Sequence, residues 1–210
     1  MGDHRIRDLA DLRTLYREPS SRAAGKLRDR LDEASIRFIE RCPFLVLATS
    51  DGRTVDASPR GGPPGFVRVL DDRHVALPDL SGNNLLDSFR NIVANPWAGL
   101  LFVVPGKDET LRINGPAHLS VDPELLDGFT PALRRPKVAL VVETAEVYGH
   151  CAKAFRRARL WDPASWEELA DAPDLAAIYA AQRPDVDEDR MRAELAELYV
   201  AELAEDRPER

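Results

Sequence analysis

Apolar residues recur along this chain with two periods, and the two are segregated. Between Pro43 and His150 the apolar runs are short and closely spaced: FLVLATS at 44–50, TVDAS at 54–58, FVRVL at 66–70, RHVALPD at 73–79, AGLLFVV at 98–104, ETLRINGPAHLSV at 109–121 and KVALVVETAEVYG at 137–149. Runs of this length, bounded by turn residues, predict strands. Asp51-Gly52 predicts the turn of a hairpin joining the first two, and Asp71-Asp72 joins a second hairpin at 66–78. In 109–121 the residues Leu111 and Ile113, then Ala117, Leu119 and Val121, alternate, which places Arg112 and Asn114 on the opposite face. Asn114-Gly115-Pro116 predicts a kink or bulge within that run. The run at 137–149 predicts one long strand, buried on both faces in its first half. A single helical period interrupts the series: Leu85, Phe89, Ile92 and Val93 recur at three- and four-residue spacing, and Asn95-Pro96 should end that helix. Six or seven short strands with one helix among them predict a mainly β, antiparallel α+β fold. This is a barrel or sandwich decorated by helices, not a series of βαβ units.

The flanks are helical. Ile6, Leu9, Leu12 and Leu15 predict a short helix packed on something larger, and Leu27, Leu31, Ala34 and Phe38 predict an amphipathic helix over 22–41. Asp122-Pro123 starts a short helix. Beyond Pro163, Trp166, Leu169 and 175–179 form one helical pattern, and Met191, Leu195 and Leu198 form a second. The final EDRPER is expected to fray. The organisation expected is a helical arm over 1–42, a barrel domain over 43–150 and a helical extension over 151–210.

Composition narrows the function classes. With 210 residues, 44% hydrophobic and 31% charged, the chain has ordinary globular composition and enough length for a sizeable core. A formal net charge of −7 argues against a broad nucleic-acid or anionic-membrane surface. No apolar stretch approaches the roughly 20 residues that span a bilayer, and the N-terminus has no secretory apolar region. Cys42 and Cys151 make neither a disulfide framework nor a zinc pattern, so a reducing cytoplasm is expected.

Three stretches carry candidate chemistry. The strand ending at Asp79 runs into Ser81, Gly82, Asn83 and Asn84 and then into a helix, an arrangement that offers free backbone N–H groups to an anion. An ordinary solvated turn would look the same. Residues 58–65, SPRGGPPG, hold three glycines and three prolines, so a stiff irregular loop is expected there, with Arg60 aimed at a phosphate or carboxylate or simply solvated. HCAKAFRRARLWD at 150–162 clusters cations in an acidic chain. Lys153 and Arg157 share a helical face and Trp161 offers a flat apolar one. The adjacent His150 and Cys151 show no third group, and a helix with a charged face explains them better than thiol chemistry.

VDASPRGGPPGFV, ALPDLSGNNLLDSFRNIVANP, GLLFVVPGKDETLRINGPAHL and HCAKAFRRARLWDP, in this order, resemble the pyridoxamine 5′-phosphate oxidase-related family, and within it a bacterial branch of flavin-nucleotide-binding proteins. The resemblance covers roughly 22–163. It implies an FMN-binding split β-barrel that dimerises, with FMN in grooves between the subunits of a homodimer. The cofactor-binding residues expected on this basis are Ser58, Arg60, Pro78, Asp79, Asn83, Asn84, Ser88, Arg112, Asn114, Lys153, Arg157 and Trp161, with no metal and no identifiable catalytic acid or base. Gly62, Leu80 and Leu85 depart from the branch's pattern, which has an aspartate at the first and arginines at the other two. The implied activity is that of an FMN-dependent oxidoreductase. A non-enzymatic FMN-binding module, or a degenerate barrel dimer that has lost tight FMN binding, are the alternatives. The C-terminal pattern of true pyridoxamine phosphate oxidases is missing.

Overall fold

The computed structural model describes residues 4–21, 25–130 and 132–208. In chain order the elements are α1 (Leu9–Leu15), α2 (Glu33–Glu40), β1 (Phe44–Ser50), β2 (Val55–Gly61), β3 (Arg68–Val69), β4 (His74–Pro78), α3 (Asp87–Ala94), β5 (Trp97–Val103), β6 (Thr110–Ser120), α4 (Pro123–Asp127), β7 (Ala139–Glu143), β8 (Glu146–His150), α5 (Lys153–Ala158), α6 (Pro163–Glu167), α7 (Leu175–Gln182) and α8 (Glu188–Glu205). All eight strands join one antiparallel sheet in the order β2-β1-β5-β6-β7-β4-β3, with β8 paired to β6. The sheet is open between β2 and β3, and it wraps around the core as a split barrel with flanking helices.

Period-two alternation sorts the strands into an inner and an outer face. Leu45, Leu47, Leu100, Phe102, Leu111 and Ile113 point inward and are essentially inaccessible. They meet Val75, Leu77, Leu140 and Val142 from the other half of the sheet, Ile92 from α3 and Ile39 from α2. Burial of β7 on both faces, expected from its composition, is observed: Ala139, Leu140, Val141 and Val142 are all buried, the alternate two against Leu126 and Phe129.

Several sequence expectations are corrected. The helix predicted over 22–41 is helical only over Glu33–Glu40, and 22–24 lie outside the described residues. Ahead of it, Arg28 exchanges backbone hydrogen bonds with Val147, and Leu31 N donates to Asp72 O; Asp32 then caps the helix by accepting from Ser35 N at 2.7 Å. Tertiary strand-like pairing therefore displaces the first turns. Within 58–65, the residues up to Gly61 are regular after all: Ser58, Pro59, Arg60 and Gly61 pair with Leu47, Val46, Leu45 and Phe44. Because β2 is an edge strand with one neighbour, Pro59 can lie in it without breaking a ladder on the open side. The long strand over 137–149 is two strands, β7 and β8, separated at Thr144-Ala145. The helix with apolar spacing from Leu85 begins later, at Asp87; Leu85 and Val93 are exposed, while Ile92 is buried. The helical tail holds α6, α7 and α8 rather than two helices. Helix α1 forms, but Ile6, Leu9, Leu12 and Leu15 are all exposed, so the described residues do not bury its apolar stripe as expected.

The kink expected at Asn114-Gly115-Pro116 marks where β6 changes neighbours. Residues 110–114 pair with β8 and 117–120 with β7, while β5 runs along 110–116 on the other side. A Cβ at Gly115 would collide with the carbonyl oxygen of Glu143 and crowd Ala145 N. Gly115→Ala is expected to lower stability by about 1–3 kcal/mol, at the upper end because the obstacle is backbone. Urea unfolding of the variant checks it, and an unchanged midpoint would contradict the close approach.

Candidate functional site

A cavity of about 710 Å³ opens between the sheet edge, the turn after β4, the head of α3 and one stripe of α8. Its volume lies within the range usual for small-ligand sites, about 300–1,000 Å³. Strand alternation on β2 turns Asp56, Ser58 and Arg60 toward α3 and leaves Val55, Ala57, Pro59 and Gly61 on the other, exposed side. Helix α3 is held in place by Asn91, whose side-chain amide donates to Thr49 Oγ1 at 3.0 Å inside the core. The helix therefore presents Ser88, buried in its first turn, to the inward residues of β2.

Ser88 Oγ is the hub. It bonds to Asp56 Oδ2 at 3.0 Å and to Ser58 Oγ at 3.1 Å, and it receives Arg60 Nη2 at 3.0 Å. A hydroxyl has one proton and two lone pairs. The ionised Asp56 carboxylate can only accept, so Ser88 donates to Asp56, and Ser58 must be the donor in the serine pair. Arg60 Nε, by contrast, is buried and without a hydrogen-bond partner among the described residues. At the helix start Leu86 adopts a left-handed conformation (φ 59°) and provides no side-chain cap. The first backbone N–H groups of α3 consequently stay available. Asn84 is also left-handed (φ 57°), and Asn83 Oδ1 accepts from Leu85 N.

The far wall of the cavity contains Asp79, Arg134 and Lys137. Burial pushes the Asp79 carboxyl above the ordinary aspartate range, against the opposing pull of Arg134, Arg60 and Lys137. Arg134 Nε donates to Asp206 Oδ1 at 3.2 Å, and Ser81 N donates to the same oxygen at 2.9 Å. Leu198, Ala201, Glu202 and Glu205, spaced to lie on one face of α8, complete the lining. The segment expected to fray is thus tied to the body at Asp206.

Of the residues singled out from the sequence, the cavity gathers Ser58, Arg60, Asp79, Asn83, Asn84 and Ser88. Pro78 is buried at the end of β4 opposite Ala139 and does not line it. Arg112 and Asn114 lie on the outer face of the sheet. There Arg112 stacks on Tyr148 at 4.2 Å with its Nε buried and unpartnered, and Asn114 Nδ2 donates to Glu146 Oε2 at 2.8 Å. Helix α5 also sits away from the one-chain cavity: Trp161 Nε1 donates to Lys107 O, Arg156 pairs with Asp108, and Lys153 and Arg157 are exposed. Leu80 lines the cavity but Leu85 does not. A Cβ on Gly62 would come 2.7 Å from Phe66 Cβ, so the space an aspartate would need is filled by a buried aromatic ring. Sequence reasoning missed Asp56, Arg134, Lys137 and Asp206. The basic cluster of Arg134, Arg135 and Lys137 ahead of β7 was a usable signal; Asp206, in an acidic tail, had none.

Among solved structures the chain is similar to HupZ of Group A Streptococcus (14% identity, 57% of this chain and 93% of that one, TM-score 0.47). It is also similar to a NimC/NimA family protein from Clostridium acetobutylicum (17%, 56% and 84%, 0.42) and to the FAD binding protein from Mycobacterium smegmatis (15%, 59% and 97%, 0.40). No curated protein matches it.

Asp79 generates a pH-dependent prediction. Its carboxyl is raised in the fold, so protonation favours folding; its cost is absent below the unfolded value and full above the raised one. Asp79→Asn is expected to stabilise the fold at pH 7, by less than about 1 kcal/mol after solvent screening, and so to raise the unfolding temperature. The gain should vanish below about pH 3, where the ordinary aspartate is also protonated. Calorimetry at the two pH values checks this, and destabilisation at pH 7 would mean that its cation partners outweigh burial.

The family assignment follows from the sequence profile of pyridoxamine 5′-phosphate oxidase, which matches residues 31–151, more than half of the chain and all eight strands of the split barrel. The chain belongs to the pyridoxamine 5′-phosphate oxidase family.

Proposed function

We propose that this protein is a cytoplasmic FMN-binding oxidoreductase that works as a homodimer. The observation that carries the reading is Arg60: a half-buried guanidinium lining a cavity, bonded through one nitrogen to Ser88, with its buried Nε unpartnered among the described residues, beside the uncapped head of α3. A phosphate monoester supplies the missing acceptor, and a charge-assisted bond of this kind is among the stronger polar contacts. These residues fit a phosphate. Arg60, Ser58, Ser88 and the N–H groups at the start of α3 would hold it, with Asn83 and Asn84 beside them. FMN, when bound, supplies hydride-transfer chemistry, and the protein's part is to anchor, orient and shield it. Both cysteines are unpaired, in keeping with a reducing compartment.

Dimerisation is supported by what one chain leaves uncovered. Val55, Trp97 and Phe44 are exposed at the outer face of the sheet, the face that also carries Arg112 and Tyr148, and α1 displays its apolar stripe. A second copy would cover these groups and bring Arg112, Asn114, Lys153, Arg157 and Trp161 toward a shared groove. The Lys153 and Arg157 side chains are exposed and have no hydrogen-bonded or ion-paired partner among the described residues, which leaves their cationic ends free for an anion. A second reading, a barrel dimer that no longer binds FMN tightly, is favoured by one observation: Asp56, Asp79, Asp87, Glu202 and Glu205 all line the cavity.

Titration of FMN, followed by flavin fluorescence, separates the two readings. The first expects saturable binding, with Arg60→Ala raising Kd at least about tenfold, equivalent to about 1.4 kcal/mol. No binding by the unaltered protein favours the second, and saturable binding with an unchanged Kd in the variant removes Arg60 from the phosphate site. Sedimentation at micromolar concentration should give a dimer; a clean monomer would remove the intersubunit groove.

A further inference from the structure

We propose that Ser81 and Arg134 form an anion subsite of the cavity that the chain's own Asp206 fills. Helix α8 is then a tethered competitor of a phosphate-bearing ligand. The inference rests on the cavity being the ligand site, as argued above, and adds a regulator to it.

The donor set is that of an oxyanion cradle. Asp206 Oδ1 accepts from the Ser81 backbone amide at 2.9 Å and from Arg134 Nε at 3.2 Å. Arg134 Nη2 in turn donates to Ser81 Oγ at 3.2 Å, which fixes the guanidinium against the turn. Ser81 Oγ donates to Glu205 Oε2 at 3.3 Å, and Arg134 N donates to Asp206 O at 3.0 Å. The ion pair is well shielded, with the Arg134 and Asp206 side chains 23% and 14% exposed. A guanidinium and a backbone amide converging on one oxygen serve a phosphate as well as a carboxylate. The cradle belongs to the same cavity as the Arg60–Ser88 corner.

The element that delivers Asp206 is built to leave. Helix α8 runs for 18 residues without a single buried one. Leu198, Tyr199, Val200 and Leu203 stay substantially exposed. Its attachment to the barrel therefore depends on the polar latch at its C-terminal end more than on apolar packing, and elements with few buried contacts open at low free-energy cost. While latched, α8 places Glu202 and Glu205 on the cavity wall and engages the Arg134 guanidinium. On release, those two carboxylates and Asp206 depart together, and Arg134 and the Ser81 amide become free for an incoming anion. Ligand and latch exclude each other, so apparent affinity falls with the fraction of unlatched molecules.

The test uses the full chain with Asp206→Ala, and with Asp206→Asn as a shape-preserving companion. FMN and inorganic pyrophosphate serve as probes, and amide exchange over 188–205 is followed in the unaltered protein. The expected result is roughly fivefold or more tighter binding of both probes in Asp206→Ala and a smaller gain in Asp206→Asn. Saturating probe should also accelerate exchange in α8 of the unaltered protein, with exchange in the sheet unchanged. Adding Arg134→Ala to Asp206→Ala should abolish the gain. Unchanged or weaker binding of both probes by folded Asp206 variants overturns the proposal, as does α8 exchange that the probes leave unchanged or slow. If pyrophosphate alone binds and opens α8, the subsite stands and the flavin reading falls. If FMN binds equally with and without Asp206, the flavin reading stands and the competitor falls.

Discussion

Strand β6 holds the two halves of the sheet together, and it can do so because Gly115 lets the backbone at the end of β7 lie against it. Along 110–116 it pairs with β5; on its other side it pairs first with β8 and then with β7. The chain between β7 and β8 stays on that same edge of β6 and gains one residue where the partner changes, from Val142 opposite Ala117 to Glu146 opposite Asn114; Ala145 N donates to Asn114 O at 2.9 Å across this bulge. Any side chain at 115 would occupy the position of the Glu143 carbonyl. With this change of partner, β7 pairs with β4, β4 ends at the turn that carries Asp79, and Arg134 and Lys137 line the same cavity. The cavity is thus a consequence of how one strand is shared.

Within the cavity, the charges are arranged to satisfy each other incompletely. Asp56, Ser58, Ser88 and Arg60 form a closed set of hydrogen bonds around one hydroxyl, yet one guanidinium nitrogen is left over. On the opposite wall, Arg134 is engaged by Asp206, and Asp79 sits partly buried between cations and that carboxylate. A buried donor without a partner costs free energy that an acceptor would recover, and carboxylates close by discourage an anion from remaining. A site with both features suits a ligand whose binding is conditional on where α8 lies.

The outer face of the sheet and helix α1 point in another direction, toward association. Arg112 lies over the Tyr148 ring among residues too accessible to form a core and too apolar to form an ordinary solvated surface. Isolated exposed apolar residues are common in soluble proteins; Phe44, Val55 and Trp97 on one face of the sheet, together with the exposed apolar side chains of α1, are what support the proposed dimer.

The strands and the helix that interrupts them were legible from short apolar runs bounded by turn residues, and the inward pair Leu111 and Ile113 of β6 from alternation, because burial on one face imposes a period of two. The resemblance assigns twelve residues to one cofactor site, and the cavity of one chain gathers six of them, Ser58, Arg60, Asp79, Asn83, Asn84 and Ser88. Local pattern failed where long-range contacts overruled it. Pro59 lies in a strand because that strand is at an edge, residues 28–31 pair with Val147 and Asp72 instead of extending α2, and the run at 137–149 is split by a one-residue bulge opposite Gly115 of β6. The joining of Arg134, Ser81 and Asp206 was beyond sequence reading altogether. Asp206 is 72 residues from Arg134 and 125 from Ser81 along the chain. A hydrogen bond at such separation leaves no periodicity, so only the tertiary structure decided that the acidic tail returns to the cavity.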